Sequence, residues 1–331
     1  MTKSDGSMGK ACVIGAGAYG CALACVAARA GFETVVWGRS ATTVAEINQS
    51  HTNNVYLNGL ELEPAITATS EMAQALAETD LVILSVPTQS LSDLLPELKS
   101  HFQGNVPLVS SSKGIDRKTG KLPNELIKAQ FPNAKIGVLS GPSFATDVVR
   151  NLPTAVSVAA DEITQANQLA SMLSSSTFRC YANDDPRGVE LGGALKNVLA
   201  VAVGITRGMG LGASAEAALI TRGFTEMRRL AEALGAKRDT LLGLSGFGDF
   251  VLTCSSEQSR NFSYGMALGR GADLTDMKLA EGVFTAGIAS ELAEQENVDV
   301  PIIGAVVGVL EKRVTAQEAV ESLLMRPLKQ E

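Results

Sequence analysis

The chain has 331 residues, which at about 100–200 residues per domain points to two domains rather than one small binding module. Hydrophobic residues make up 45% and charged residues 19%, enough apolar material for packed cores and too little charge for a disordered chain. A net charge of −7 with only 5% aromatic residues argues against a nucleic-acid partner, while leaving room for a local cationic pocket that holds one small phosphate.

From the N-terminus, residues 1–9 are expected to form a disordered lead-in. Residues 11–28 carry no charge and follow Lys3 and Lys10, so a signal peptide or membrane span has to be weighed first. Gly15, Gly17 and Gly20 interrupt that stretch, which resolves better as a strand, a tight turn and a helix. Gly15-Ala16-Gly17-Ala18-Tyr19-Gly20 is then a G-x-G-x-x-G turn in the strand-to-helix context that gives it meaning. The first glycine permits the turn, the second lets a pyrophosphate approach the backbone, and the third lets helix and strand pack closely. The helix N-terminus offers free N–H groups to the anion.

A second strand, Thr34–Trp37, runs into Gly38-Arg39-Ser40, where an NAD-specific site places an acid against the ribose 2′-hydroxyl. Arg39 suits a 2′-phosphate instead, which favours NADP over NAD; the alternative is a solvated surface arginine. Further strands are expected at Leu81–Val86, Val106–Ser110, Ile136–Leu139 and Ala155–Ala159, alternating with helical stretches as in a parallel sheet of βαβ units. After Pro186 the strands stop, and Ala, Leu and Gly recur at helical spacing over 188–233, 262–270 and 284–322. The predicted fold class is an α/β, Rossmann-like N-terminal domain over residues 10–187 followed by an all-α C-terminal domain over 188–331. Asn197–Thr206 is apolar all round but too short to span a bilayer, and reads as a central buried helix.

Candidate chemical groups lie in both parts. Lys113 in Ser111-Ser112-Lys113-Gly114, and Gly141 and Ser143 in Ser140-Gly141-Pro142-Ser143-Phe144-Ala145, follow strand ends. Lys196 stands alone in the uncharged stretch Leu191–Val198, where burial would depress its pKa and suit it to proton transfer. Asp249 follows the glycine-rich turn Leu244–Gly248 and is placed to orient an ammonium group. Ser259-Arg260-Asn261 supplies a guanidinium suited to bidentate phosphate recognition. His51 and His101 are far apart, so neither a histidine metal site nor a Ser-His-Asp triad is expected. The cysteines, Cys12, Cys21, Cys25, Cys180 and Cys254, form no C-x-x-C pair, and their odd number reads as a reduced, cytoplasmic protein.

In chain order, GAGAYG, SSKGI, SGPSFA, LPTAVSVA, GVELGGALKNV, GASAEAALITRG, GFGDFVLTC, QSRN and AEGVFTA closely resemble the bacterial NAD(P)-dependent glycerol-3-phosphate dehydrogenase family, from about residue 10 to residue 325. The resemblance implies reversible reduction of dihydroxyacetone phosphate to sn-glycerol 3-phosphate, feeding glycerophospholipid synthesis, with a homodimer common. It implies Lys196 as general acid and base, and substrate contacts from Lys113, Gly141, Ser143, Lys196, Asn197, Asp249, Thr253, Ser259, Arg260 and Asn261. The cofactor would meet Gly15, Gly17, Ala18, Tyr19, Gly20, Arg39, Lys113, Ala145, Arg260, Leu279 and Glu281. The chain departs from the family's usual pattern with Ala18 for Ser, Cys21 for Thr, and Asn58 in a segment usually written N-x-x-Y-L-P-G. Two other readings share parts of this pattern. A reductase of a β-hydroxy acid or ketopantoate would share the first domain and a helical-domain lysine but not the phosphate apparatus, and a non-catalytic dinucleotide sensor would need neither lysine nor carboxylate.

Overall fold

The structure is a computed structural model that describes residues 8–102, 104–275, 277 and 280–327. The chain forms two compact units: one comprises the chain up to Lys113 together with Lys121–Glu190, the other Gly114–Gly120 together with the chain from Leu191. The division therefore falls at Glu190 rather than residue 187. The segment Gly114–Gly120 belongs to the second unit, which a reading as two contiguous domains does not anticipate.

The first unit is built on strands β1 (Lys10–Ile14), β2 (Glu33–Trp37), β3 (Ile66–Thr69), β4 (Leu81–Leu84), β5 (Leu108–Ser110), β6 (Ile136–Ser140), β7 (Thr154–Ala159) and β8 (Phe178–Asn183). They lie in the order β3-β2-β1-β4-β5-β6-β7-β8. The connections carry helices α1 (Ala18–Arg29), α2 (Ala41–Ser50), α3 (Asn54–Leu57), α4 (Met72–Leu76), α5 (Leu91–His101), α6 (Pro123–Gln130), α7 (Ala145–Val149) and α8 (Ile163–Leu173). Alternate strand residues serve opposite faces. Ala11, Val13, Val36, Leu81 and Ile83 join one core with the buried face of α1, while Cys12, Ile14, Val35, Trp37, Val82 and Leu84 join the other with α4, α5 and α6.

Neighbouring strands are parallel apart from β6 and β7, which run antiparallel. The expectation of a purely parallel sheet is corrected at this one place. A five-residue α7 rises only about 7.5 Å at 1.5 Å per residue. It is too short to carry the chain back along the sheet, so β7 starts from the edge where β6 ended. Strands β3 and β8 escape sequence reading because ITAT and FRCYAN lack a run of large apolar residues. The lead-in is also corrected for its last two residues: Met8 N–H donates to Gly31 O at 3.2 Å and Gly9 O accepts from Glu33 N–H at 2.9 Å. Residues 1–7 lie outside the described residues.

The second unit contains α9 (Pro186–Gly208) from Leu191 onward, α10 (Ala213–Ala233), α11 (Arg238–Leu242), α12 (Asp249–Ser255), α13 (Arg260–Gly269), α14 (Glu281–Gln295), α15 (Pro301–Leu310) and α16 (Ala316–Leu324). By length and composition α9 passes for a membrane span, but the apolar stretch that does so is entirely buried in protein. The backbones of α9 and α13 meet through glycines. A Cβ on Gly204 would stand 2.2 Å from Phe262 O, one on Gly208 2.2 Å from Met266 O, one on Gly265 2.1 Å from Val201 O and one on Gly269 2.3 Å from Ile205 O. Gly208 is the last residue of α9, so the break expected over Gly208–Gly212 is where the helix ends, and the same glycine also lies against the backbone of α13.

Glu190, the last residue of the first unit, is buried on α9, and its Oε1 accepts the Asn124 N–H of α6 at 2.7 Å. Burial pushes its carboxyl up to about 8, only partly opposed by the Asn124 bond; Glu125 raises it further, and Lys128 and Arg187 lower it. Glu226, which accepts from the N–H groups of Ile302 and Ile303 at the start of α15, is likewise pushed up by burial, to about 7. Between the ordinary value of 4.5 and these raised values the folded protein keeps protons that the unfolded chain has released, so stability falls as pH rises. Unfolding free energies from urea denaturation should therefore drop from pH 5 to pH 8, by at most about 1.4 kcal/mol per pH unit for each group. Glu190→Gln should flatten that slope while leaving the share due to Glu226.

Candidate functional site

Functional side chains collect into two groups, one in each unit. In the first unit the turn after β1 is shaped by its glycines. Gly15 has φ +118° and a Cβ there would stand 2.3 Å from Ser85 O, while a Cβ on Gly20 would stand 1.8 Å from Gly15 O. Gly17 differs, because no protein atom lies within 4 Å of the Cβ it lacks. Its bareness leaves open space at the α1 N-terminus, where backbone N–H groups and the helix dipole favour an anion. The residues present fit a dinucleotide pyrophosphate at this turn.

Beside the turn, Tyr19 Oη and Ser143 Oγ are 2.8 Å apart, and Ser143 Oγ also donates to Gly141 O at 3.0 Å. Lys113 Nζ donates to the same carbonyl at 3.3 Å and stands 5.7 Å from the centre of the Tyr19 ring. Lys113 follows β5, Gly141 follows β6 and Tyr19 opens α1, so the strand ends bring Lys113, Gly141, Ser143 and Tyr19 together. Ala18 and Ala145 are the first residues of α1 and α7. Arg39 is exposed just past β2, and Ser40 caps α2 by accepting the Thr43 N–H at 3.2 Å. Asn58, where the family segment usually has proline, closes α3 at φ +49°, a conformation closed to proline.

In the second unit Lys196 is 5% exposed on α9, and its Nζ donates to Asp249 Oδ1 at 2.8 Å and to Thr253 Oγ1 at 2.6 Å. Asp249 and Thr253 lie one turn apart on α12, and Thr253 Oγ1 donates in turn to Asp249 O at 2.6 Å. The glycine-rich stretch before Asp249, expected as a flexible turn, is a single π-helical turn over Leu244–Gly248 that runs directly into α12. Gly246 makes the fit possible, since a Cβ on it would stand 2.0 Å from Leu241 O.

Ser259 caps α13, accepting the Phe262 N–H at 3.3 Å, and leaves Arg260 exposed as the first helical residue. Asn261 is buried: its Nδ2 donates to Asn197 Oδ1 at 2.9 Å and its Oδ1 accepts the Gly282 N–H at 2.8 Å. This side chain joins α9, α13 and α14, with one amide hydrogen left over. Glu281 opens α14 with a buried Oε2 that has no hydrogen-bond partner among the described residues; burial raises its pKa, opposed by the charge of Arg260. Leu279 lies outside the described residues. No cluster of three or more metal-ligating side chains occurs among the described residues.

Residues 10–166 match the NAD-dependent glycerol-3-phosphate dehydrogenase N-terminus family and residues 185–321 the corresponding C-terminus family. The chain belongs to the NAD-dependent glycerol-3-phosphate dehydrogenase family. It is 50% identical over 319 residues to a glycerol-3-phosphate dehydrogenase [NAD(P)+] of a Chelativorans species, covering 96% of this chain and 98% of that one. A Brucella ovis enzyme of the same description is 49% identical over 97% of this chain and 99% of its own. The crystal structure of a Coxiella burnetii glycerol-3-phosphate dehydrogenase superimposes with a TM-score of 0.90 at 36% identity, over 96% of this chain and 99% of that one.

Sequence reading passed over Asn53 and Glu190, whose partners are backbone groups distant in the chain. It also passed over Gly282, which stands against Asn197 O. Thr253→Val keeps the shape of Thr253 but takes an acceptor from a buried ammonium. It should lower folding stability by about 1.5–3 kcal/mol, the worth of a hydrogen bond to a charged group, measured by urea denaturation.

Proposed function

We propose that the protein catalyses the reversible, NAD(P)H-dependent reduction of dihydroxyacetone phosphate to sn-glycerol 3-phosphate, with NADP favoured. The observation that carries this reading is the buried Lys196 ammonium held by Asp249 and Thr253, in a chain of this family. A ketone oxygen that becomes an alkoxide needs a proton and a neighbouring positive charge, and a fixed lysine provides both. Lys196 gives its proton to that oxygen in reduction and takes it back in oxidation, while Asp249 keeps the ammonium oriented and its charge compensated. The nicotinamide, when bound, supplies the hydride equivalent for the ketone carbon.

Arg260 binds the phosphate through its planar fork, and Ser259 and Asn261 fix the start of α13 from which it projects. Asn261 thus acts more as a tie between helices than as a phosphate ligand. Lys113, Gly141 and Ser143 supply further substrate contacts from the first unit. For the cofactor, the bare Gly17 and the α1 N-terminus take the pyrophosphate, Arg39 takes the 2′-phosphate, and the unpartnered Glu281 Oε2 accepts from a hydroxyl. The product serves glycerophospholipid synthesis in the cytoplasm, and the protein works as a homodimer.

Loss of NADPH absorbance on adding dihydroxyacetone phosphate tests the reaction, with unphosphorylated dihydroxyacetone as the comparison. The wild type should strongly prefer the phosphorylated ketone, and Lys196→Ala should lose about 10²–10⁴-fold in turnover while still binding NADPH. Equal use of both ketones would overturn the assignment of substrate.

Cofactor choice is tested at Arg39. Arg39→Asp should reduce kcat/KM for NADPH far more than for NADH, since it replaces a phosphate-binding cation with a carboxylate. An equal loss with both cofactors would make Arg39 a surface residue without a part in the choice.

A further inference from the structure

We propose that Asn53 is a positioning residue for the dinucleotide-binding turn, holding it in the shape that accepts the cofactor pyrophosphate. The inference rests on the cofactor reading given above. Asn53 is fully buried between α2 and α3, and its Nδ2 donates to Ala16 O at 2.9 Å and to Cys21 Sγ at 3.3 Å. Ala16 stands between Gly15 and Gly17, and Cys21 is on the first turn of α1, so one amide holds both sides of the open space at Gly17.

The orientation of the amide is dictated by chemistry. Ala16 O can only accept, so a flipped Asn53 would set two acceptors face to face. The cost of the observed orientation is that Asn53 Oδ1 is buried with no hydrogen-bond partner among the described residues. A core amide selected only for stability would have that oxygen satisfied, because a buried unpaired acceptor is unfavourable. The arrangement retains the one bond to the turn and leaves the other end of the amide unsatisfied.

The segment bearing Asn53 is itself fixed. Thr52 bridges to Glu61, Thr52 Oγ1 donates to Glu46 Oε1 at 2.9 Å, and the Asn54 N–H donates to the same oxygen at 2.7 Å. Glu46 lies on α2, whose opposite end carries Ser40 and, just before it, Arg39. Through α2 the residue expected at the 2′-phosphate and the residue that grips the pyrophosphate turn belong to one rigid piece. A loosened Asn53 bond should therefore weaken the grip on NADPH without touching the proton-transfer group on Lys196.

The test uses Trp37, the sole tryptophan, on β2 two residues before Arg39, whose fluorescence can report NADPH binding to the enzyme alone. Asn53→Asp keeps size but puts an acceptor behind Ala16 O, and Asn53→Ser is too short to reach it. Folded variants should bind NADPH about three- to tenfold more weakly, the worth of one hydrogen bond, with kcat at saturating NADPH and KM for dihydroxyacetone phosphate within about twofold of wild type. Variants that melt at a lower temperature but bind NADPH as wild type does would make Asn53 a structural amide and overturn the proposal, as would failure of both to fold. If the wild type itself does not bind NADPH, the cofactor reading fails instead.

Discussion

A positive charge sits inside a stretch of α9, from Leu191 to Thr206, that holds no other charged residue, and the second unit is organised to accommodate it. Lys196 can remain charged on α9 only because Asp249 and Thr253 meet its Nζ, since an unpaired buried ammonium would be unfavourable by several kcal/mol. That need sets the position of α12, and a glycine-dependent π turn brings the chain there at the right angle. Next to Lys196 on α9, Asn197 Oδ1 accepts from Asn261 Nδ2 of α13, whose own Oδ1 ties in α14. The charge is structurally demanding, and the proposed chemistry is what makes it worth retaining.

The first unit meets a different demand, the close approach of backbone to ligand. Its turn after β1 is bounded by Ser85 on one side, by the α1 helix on another and by the Asn53 amide behind. Of the three glycines in that turn, Gly15, Gly17 and Gly20, Gly17 is the one with open space where its Cβ would be.

Much of this was legible in the sequence where a pattern is local. Short β-branched apolar runs pointed to the central strands, and a lone lysine in an uncharged stretch was conspicuous. What stayed hidden depends on partners distant in sequence or on backbone. The reversal of β7 leaves no mark, because a strand reads the same in either direction. Ile66–Thr69 has too few large apolar residues to register as a strand, and β8 at the sheet edge needs only one buried face. The close approach of α9 and α13 stayed hidden too, because the glycines that allow it, Gly204 and Gly265 among them, read in sequence like any other helix glycine. Asn53 and Glu190 fall inside segments that resemble the family, but their roles could not be read there, since each bonds to main-chain groups that any residue could supply.

The excursion Gly114–Gly120 bears on how the protein can be divided. Arg117 within it stands 5.5 Å from the centre of the Phe284 ring, and Asp116 is buried. These residues belong with helices encoded far downstream, although they are encoded in the middle of the sheet. A gene cut at residue 190 would thus leave the helical fragment without a piece of its own surface and give the sheet fragment a loop with nothing to rest on. Neither half is a clean module for fusion or domain exchange, and a chimera would need two junctions around this loop as well as one in α9.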